Sequence, residues 1–126
     1  MIKLSNTPAN IVLIQDFIDE TGKRIRAGVD IEFTHKAFTE LKSLMSNYDI
    51  NDDDIQDAIL NLTVKNYHRG IDPSANEDFN VCSFCVIIGA ENVEIYLKYG
   101  LEVDGLQILL FSNHVPKYPM TKPFKK

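Results

Sequence analysis

The sequence predicts an α+β fold in which N-terminal helices pack on one face of a small twisted antiparallel sheet. Two observations carry this prediction. Between residues 34 and 62, apolar side chains recur three and four positions apart, which is the spacing of a buried helix face. Between residues 79 and 114, apolar and polar side chains alternate in three consecutive segments, which is the spacing of strands.

The chain has 126 residues and is expected to form one domain with four parts. These are an N-terminal helix and short strand over residues 1–33, two helices over 34–62, antiparallel strands over 79–114 and an extended basic tail over 115–126. Residues 63–80 are predicted to be mostly loop, because Gly70, Pro73 and Asn76 interrupt them.

Capping residues predict where the helices begin and end. The first helix is expected to end near Gly22, Thr34 is expected to cap the second helix, and Asn51 is expected to cap the third. The aspartates at 52–54 then fill the first turn of the third helix, where the helix dipole favours negative charge. A calcium loop is excluded there because the loop glycine and the closing glutamate are missing.

The charge of the chain limits its possible partners. A net charge of −5 argues against a general nucleic-acid binder, but it allows an enzyme that contacts RNA through a local basic patch. After Gly105 the chain carries lysines and no acid, so the C-terminal end is the basic end. No apolar run approaches the about 20 residues of a membrane span, and the N-terminus lacks a signal-peptide pattern. We therefore expect a cytoplasmic protein with no membrane segment.

The two cysteines, Cys82 and Cys85, have the spacing of a redox motif or of half a zinc site. They lie in a predicted strand, where residues three apart point to opposite faces. Two such thiols cannot bind one metal or close a disulfide, so we expect free, buried cysteines.

A β-hairpin over residues 93–114 carries the candidate site. Tyr96 and Lys98 share the polar face of one strand, and Ser112 and His114 lie on the next. A two-residue turn at Asp104-Gly105 places His114 on the apolar face, whereas a three-residue loop with a bulge places it opposite Tyr96. The residues alone allow both registers.

Several segments in a fixed order resemble the MqsR-type toxins of bacterial toxin–antitoxin systems, within the RelE-like ribonuclease class. The matching segments are INDDDIQDAILNLTVKNY at 50–67, Arg-Gly at 69–70, VEIYLK at 93–98, LFSNH at 110–114 and YPMTKPF at 118–124.

This resemblance implies a RelE/MqsR-like fold and a metal-independent endoribonuclease that cuts messenger RNA and is neutralised by a cognate antitoxin protein. It implies catalytic roles for Tyr96, Lys98 and His114, and it favours the bulged register. No metal or cofactor is implied.

The residue types fit this chemistry, because RNA supplies its own nucleophile in the 2′-hydroxyl. His114 is the candidate acid or base and Lys98 the candidate cation for the phosphate charge, while Tyr96 is expected to position the substrate. The candidate substrate-binding residues are Ser112, Tyr118, Arg69 and Lys36. The alternative is a catalytically inactive domain of the same fold that binds a protein partner or serves as a mobile-element effector.

Overall fold

The computed structural model of this chain describes residues 10–73 and 78–125. Within these ranges the chain forms three α-helices and a five-stranded sheet, which confirms the predicted α+β class. The elements in order are α1 (Ile11–Arg26), β1 (Ile31–Phe33), α2 (His35–Tyr48), α3 (Asp52–Leu60), a 3₁₀ turn (Val64–Asn66), β2 (Tyr67–Pro73), β3 (Phe79–Ile88), β4 (Val93–Glu102) and β5 (Ile108–His114).

The five strands form one sheet in the order β1-β5-β4-β3-β2. β2, β3, β4 and β5 pair antiparallel, as predicted for the last three, but β1 pairs parallel with β5. The prediction of a purely antiparallel sheet is therefore wrong. The physical reason is that β1 covers the outer edge of β5, which would otherwise expose unpaired backbone groups.

The prediction that residues 63–80 are mostly loop is wrong, because β2 lies within them. Two register shifts against β3 interrupt the alternation by which a strand is recognised in sequence. Gly70 lies between them with a φ of +104°, and a side chain there would collide with the carbonyl oxygen of Val81. Glycine thus permits the close approach of β2 to β3.

The predicted caps of the second and third helices are confirmed. The Thr34 hydroxyl accepts the N–H of Ala37 at 3.1 Å, and Asn51 and Asp54 bond reciprocally to each other's backbone N–H at 3.0 Å. The expected end of the first helix near Gly22 is wrong, because α1 continues to Arg26.

α1 continues past Gly22 because two of its buried polar side chains, Thr21 and Arg24, find hydrogen-bond partners inside the protein. The Thr21 hydroxyl contacts the Phe17 carbonyl and the Tyr99 phenol, both at 2.8 Å. The buried Arg24 guanidinium donates to the carbonyls of Gln107 at 3.0 Å and Glu102 at 2.9 Å, and to the Glu20 carboxylate. These bonds tie the end of α1 to the β4–β5 loop.

Replacing Arg24 by methionine is expected to lower the free energy of unfolding by roughly 2–3 kcal/mol, because the two loop carbonyls lose a charged donor. Urea unfolding followed by circular dichroism measures the change. Arg26→Met is the matched control, since Arg26 is exposed on the same helical turn. An equal loss in both variants would contradict the structural role of Arg24.

The helices and one face of the sheet enclose the hydrophobic core. Alternate residues of β3, β4 and β5 point into this core, and the residues between them point to the opposite face. The opposite face carries the candidate site, at Tyr96 and Lys98 of β4 and Ser112 and His114 of β5. The core members from the strands are Tyr67, Cys82, Phe84, Val86, Ile88, Ile95, Leu97, Tyr99, Leu101, Ile108 and Leu110, packed against side chains of all three helices.

Candidate functional site

The pairing of β4 with β5 places the predicted site residues on one face. Tyr96 lies opposite His114 and Lys98 lies opposite Ser112, which are the partners expected of the bulged register. The extra residue is not at the Asp104-Gly105 turn, where it was expected. Near the turn the strands keep the tighter register, with Leu101 opposite Ile108.

The bulge lies instead at Phe111, between the partners of Tyr99 and Lys98. The Phe111 ring packs edge-on against Phe79, with ring centroids 6.1 Å apart, and lies over Gly100, where the missing side chain leaves room. A local packing preference in the middle of the strand therefore moves Ser112 and His114 onto the face of Lys98 and Tyr96.

A cavity of about 360 Å³ opens on this face. All seven residues predicted from the sequence line it, and the basic tail forms one of its walls. The lining residues are Lys36, His68, Arg69, Tyr96, Lys98, Ser112, His114, Pro116, Lys117, Tyr118, Pro119 and Met120.

The cavity concentrates positive charge in a protein of negative net charge. Lys98 is nearly buried, and its Nζ lies 6.0 Å from the centre of the Phe111 ring. Burial and the neighbouring Lys36 lower the pKa of the Lys98 ammonium, while Glu40 opposes the shift. The Lys36 Nζ donates to the Ser112 hydroxyl at 3.0 Å. An anion bound in the cavity would offset the repulsion between the Lys36 and Lys98 ammonium groups.

Tyr96 lies between two imidazoles. Its ring stacks on His114 with centroids 5.1 Å apart and meets His68 edge-on at 6.0 Å. Burial raises the pKa of the Tyr96 phenol, and nearby Ser83 and Arg69 oppose this shift in part. The phenol therefore stays protonated at neutral pH and serves as a hydrogen-bond donor.

The two ring nitrogens of His114 have different surroundings. Its Nδ1 donates to the Val115 carbonyl at 2.9 Å, which leaves the lone pair of the neutral ring on Nε2. Nε2 lies 4.0 Å from the Glu40 carboxylate, and the His114 side chain is 32% exposed. The imidazole is thus held at its Nδ1 edge, and its Nε2 edge faces Glu40 in a side chain that is partly exposed.

Sequence reasoning missed Glu40 as part of the site. One Glu40 oxygen accepts the backbone N–H of Asn113 at 3.1 Å, and the other lies 3.8 Å from the Lys36 ammonium. Glu40 therefore links α2 to β5 beside the Nε2 edge of His114. The sequence offered one signal for Glu40: it follows Lys36 by four residues on a predicted helix, which is the spacing of a side-chain ion pair.

Sequence reasoning also gave His68 little weight, because the segment around it was predicted to be loop. The His68 Nδ1 lies 2.9 Å from both the carbonyl and the hydroxyl of Thr121, so the imidazole anchors the C-terminal tail. Burial lowers the pKa of His68, Arg69 lowers it further, and the Thr121 carbonyl opposes the shift.

This lowered pKa predicts a loss of stability in acid. Below the usual histidine value of 6.5, the unfolded chain binds a proton that the folded His68 resists, so the free energy of unfolding falls as pH drops. Urea unfolding of the wild type and of His68→Gln at about pH 7.5 and about pH 5.5 measures this effect. The wild type should lose more stability than the variant, and parallel losses would contradict the assignment.

The cysteines lie on opposite faces of β3, as predicted. Cys82 is opposite Tyr99 on the core face, whereas Cys85 is opposite Tyr96, and both are buried. Across residues 10–73 and 78–125, no group of three or more His, Cys, Asp or Glu side chains is placed to hold a metal ion. Nor does this part of the chain contain a helix with the length and apolar character needed to cross a membrane.

No protein-family model matches this chain, and neither a curated protein nor a solved structure matches it.

Proposed function

We propose that this protein is a metal-independent endoribonuclease that cleaves single-stranded RNA through attack of a 2′-hydroxyl on the adjacent phosphate. The observation that carries the proposal is the convergence of Lys36, Arg69 and Lys98 with an accessible imidazole in one cavity. Cations bind the phosphate, and the imidazole moves a proton at neutral pH.

In the proposed reaction, His114 Nε2 takes the proton of the 2′-hydroxyl as the oxygen forms its bond to phosphorus. The bond from phosphorus to the 5′-oxygen then breaks, and Lys98 gives that oxygen a proton. The products are a 2′,3′-cyclic phosphate and a 5′-hydroxyl. The lowered pKa of Lys98 suits it to this step, because it brings the ammonium closer to releasing its proton at working pH.

The other cations and the phenol have supporting roles in this proposal. Lys36 and Arg69 offset the phosphate charge, which grows in the transition state. The Ser112 hydroxyl accepts a hydrogen bond from Lys36 and so holds its ammonium at the cavity wall. The protonated Tyr96 donates a hydrogen bond to a phosphate oxygen and, by stacking on His114, fixes the plane of the imidazole.

The test is incubation of the purified protein with single-stranded RNA in excess EDTA. We expect cleavage of RNA and none of the same sequence with 2′-O-methyl groups, since that backbone has no nucleophile. Intact RNA, or equal cleavage of both backbones, would overturn the proposal.

We propose further that the cellular role is that of a type II toxin, active on messenger RNA in the cytoplasm and neutralised by an antitoxin protein. The support is the resemblance of five ordered sequence segments to MqsR-type toxins. Expression of the wild type should arrest growth, whereas His114→Asn should not. Growth arrest by both proteins, together with intact RNA in vitro, would favour the inactive protein-binding domain instead.

A further inference from the structure

Tyr118 is the most exposed aromatic side chain in the part of the chain that the structure describes. Its relative exposure is 81%, yet it lies at the rim of the cationic cavity. Neither ring packing nor a hydrogen bond joins Tyr118 to another described residue. An aromatic ring that is largely exposed is available to a ligand that brings its own flat apolar surface.

The segment that presents Tyr118 is fixed at both ends. On one side it leaves β5 at His114, whose imidazole bonds to Val115. On the other side, Thr121 bonds to His68, and the Lys122 ammonium lies 3.8 Å from the Glu94 carboxylate.

Further along the tail, Phe124 packs on the buried Tyr67, with ring centroids 5.9 Å apart. Pro116 and Pro119 flank Tyr118 and restrict the backbone between these anchors. The tail is therefore a strap that holds the backbone of Tyr118 at the cavity, so little backbone entropy is lost when a ligand contacts the ring.

The surroundings of Tyr118 indicate what the ligand is. Lys117 is adjacent to it in the chain, and Arg69 and Lys98 line the same cavity. An aromatic platform beside a row of cations matches the alternation of base and phosphate in a single nucleic-acid strand.

From this arrangement we infer that Tyr118 is a stacking platform for the base of a nucleotide next to the cleaved phosphate. The inference rests on the proposed ribonuclease function and adds a subsite to it. The interaction is with the face of the base, so it selects unpaired strands, whose bases can unstack, over duplexes. The Tyr118 hydroxyl is not needed for it.

Binding can be measured without cleavage. The probes are a fluorescent 2′-O-methyl oligoadenylate and an oligomer of the same length and backbone that lacks bases, each titrated by fluorescence anisotropy. Tyr118→Leu keeps an apolar side chain but removes the ring. It should weaken binding of oligoadenylate about tenfold and leave binding of the abasic oligomer unchanged.

Two further variants make the result specific. Tyr118→Phe retains the ring and should restore the affinity for oligoadenylate, whereas a requirement for the hydroxyl would overturn stacking. Tyr48→Leu, at an exposed tyrosine on α2 that does not line the cavity, is the control for loss of a surface ring. It should change neither affinity.

The outcomes separate the two proposals. If Tyr118→Leu lowers the affinity for both probes equally, or for neither, the stacking subsite is wrong while the ribonuclease proposal stands. If the wild type binds neither probe and leaves RNA intact, both proposals fail. In a cleavage assay, loss of the platform should raise KM with little change in kcat, because the ring contacts substrate before and during the reaction alike.

Discussion

Replacing Lys98 by methionine is expected to slow RNA cleavage by at least about a hundredfold. The substitution removes the cation that stabilises the phosphate charge and the donor that protonates the leaving oxygen. Methionine matches the length of the lysine stem and avoids the penalty of burying a charge, so the protein should remain folded. Single-turnover cleavage rates measure the effect, with melting temperatures as the check on folding.

Two companion variants sharpen this prediction. Lys42→Met removes an exposed lysine of α2, whose ammonium lies over the Phe38 ring, and should cleave like the wild type. Lys98→Arg retains the charge but does not release a proton at working pH, so it should recover phosphate binding without recovering the rate. A folded Lys98→Met protein with wild-type rates would remove Lys98 from the mechanism.

Replacing His114 by asparagine should lower the cleavage rate by a factor of about 10² to 10⁴, the usual loss when a general base is removed. Asparagine keeps a donor that can reach the Val115 carbonyl, so the end of β5 should hold its position. The expected signature is a fall in kcat with little change in the affinity for a 2′-O-methyl oligonucleotide.

The control for the His114 experiment is His35→Asn, since His35 is exposed at the start of α2 and does not line the cavity. It should leave kcat unchanged. If His114→Asn also leaves kcat unchanged while binding is intact, another group is the base. His68 is then the first to test, because its ring also lines the cavity and its lowered pKa keeps it neutral.

Much of the fold could be predicted because interactions between residues close in sequence determine it. Thr34 and Asn51 identify the beginnings of two helices through bonds that span three residues. Alternating side chains identify β3, β4 and β5, since each has one face in the core. These signals are local, and no knowledge of the rest of the chain is needed to use them.

The features that sequence reasoning missed depend on distant contacts. α1 continues past Gly22 because Arg24 finds carbonyls in the β4–β5 loop, more than 75 residues later. β2 is a strand only because its irregular backbone pairs with β3. The parallel pairing of β1 with β5 likewise joins segments that are far apart in the chain.

The candidate site likewise depends partly on a local pattern and partly on contacts between distant segments. The polar stripe of Tyr96 and Lys98 is a local pattern, but the alignment of His114 with it depends on the Phe111 bulge. At that bulge the Phe111 ring packs closely on Gly100 of the neighbouring strand, where a Cβ would lie 3.1 Å from the ring. His68 reaches the site because β2 is part of the sheet, and Glu40 reaches it because α2 contacts β5. These contacts between distant segments are not visible as a pattern along the chain.

The most direct test of the central claim is the identity of the RNA ends that the protein produces in excess EDTA, determined by mass spectrometry. Attack by the 2′-hydroxyl predicts fragments that end in a 2′,3′-cyclic phosphate and fragments that begin with a 5′-hydroxyl. Fragments with a 3′-hydroxyl and a 5′-phosphate, or RNA that stays intact, would contradict it.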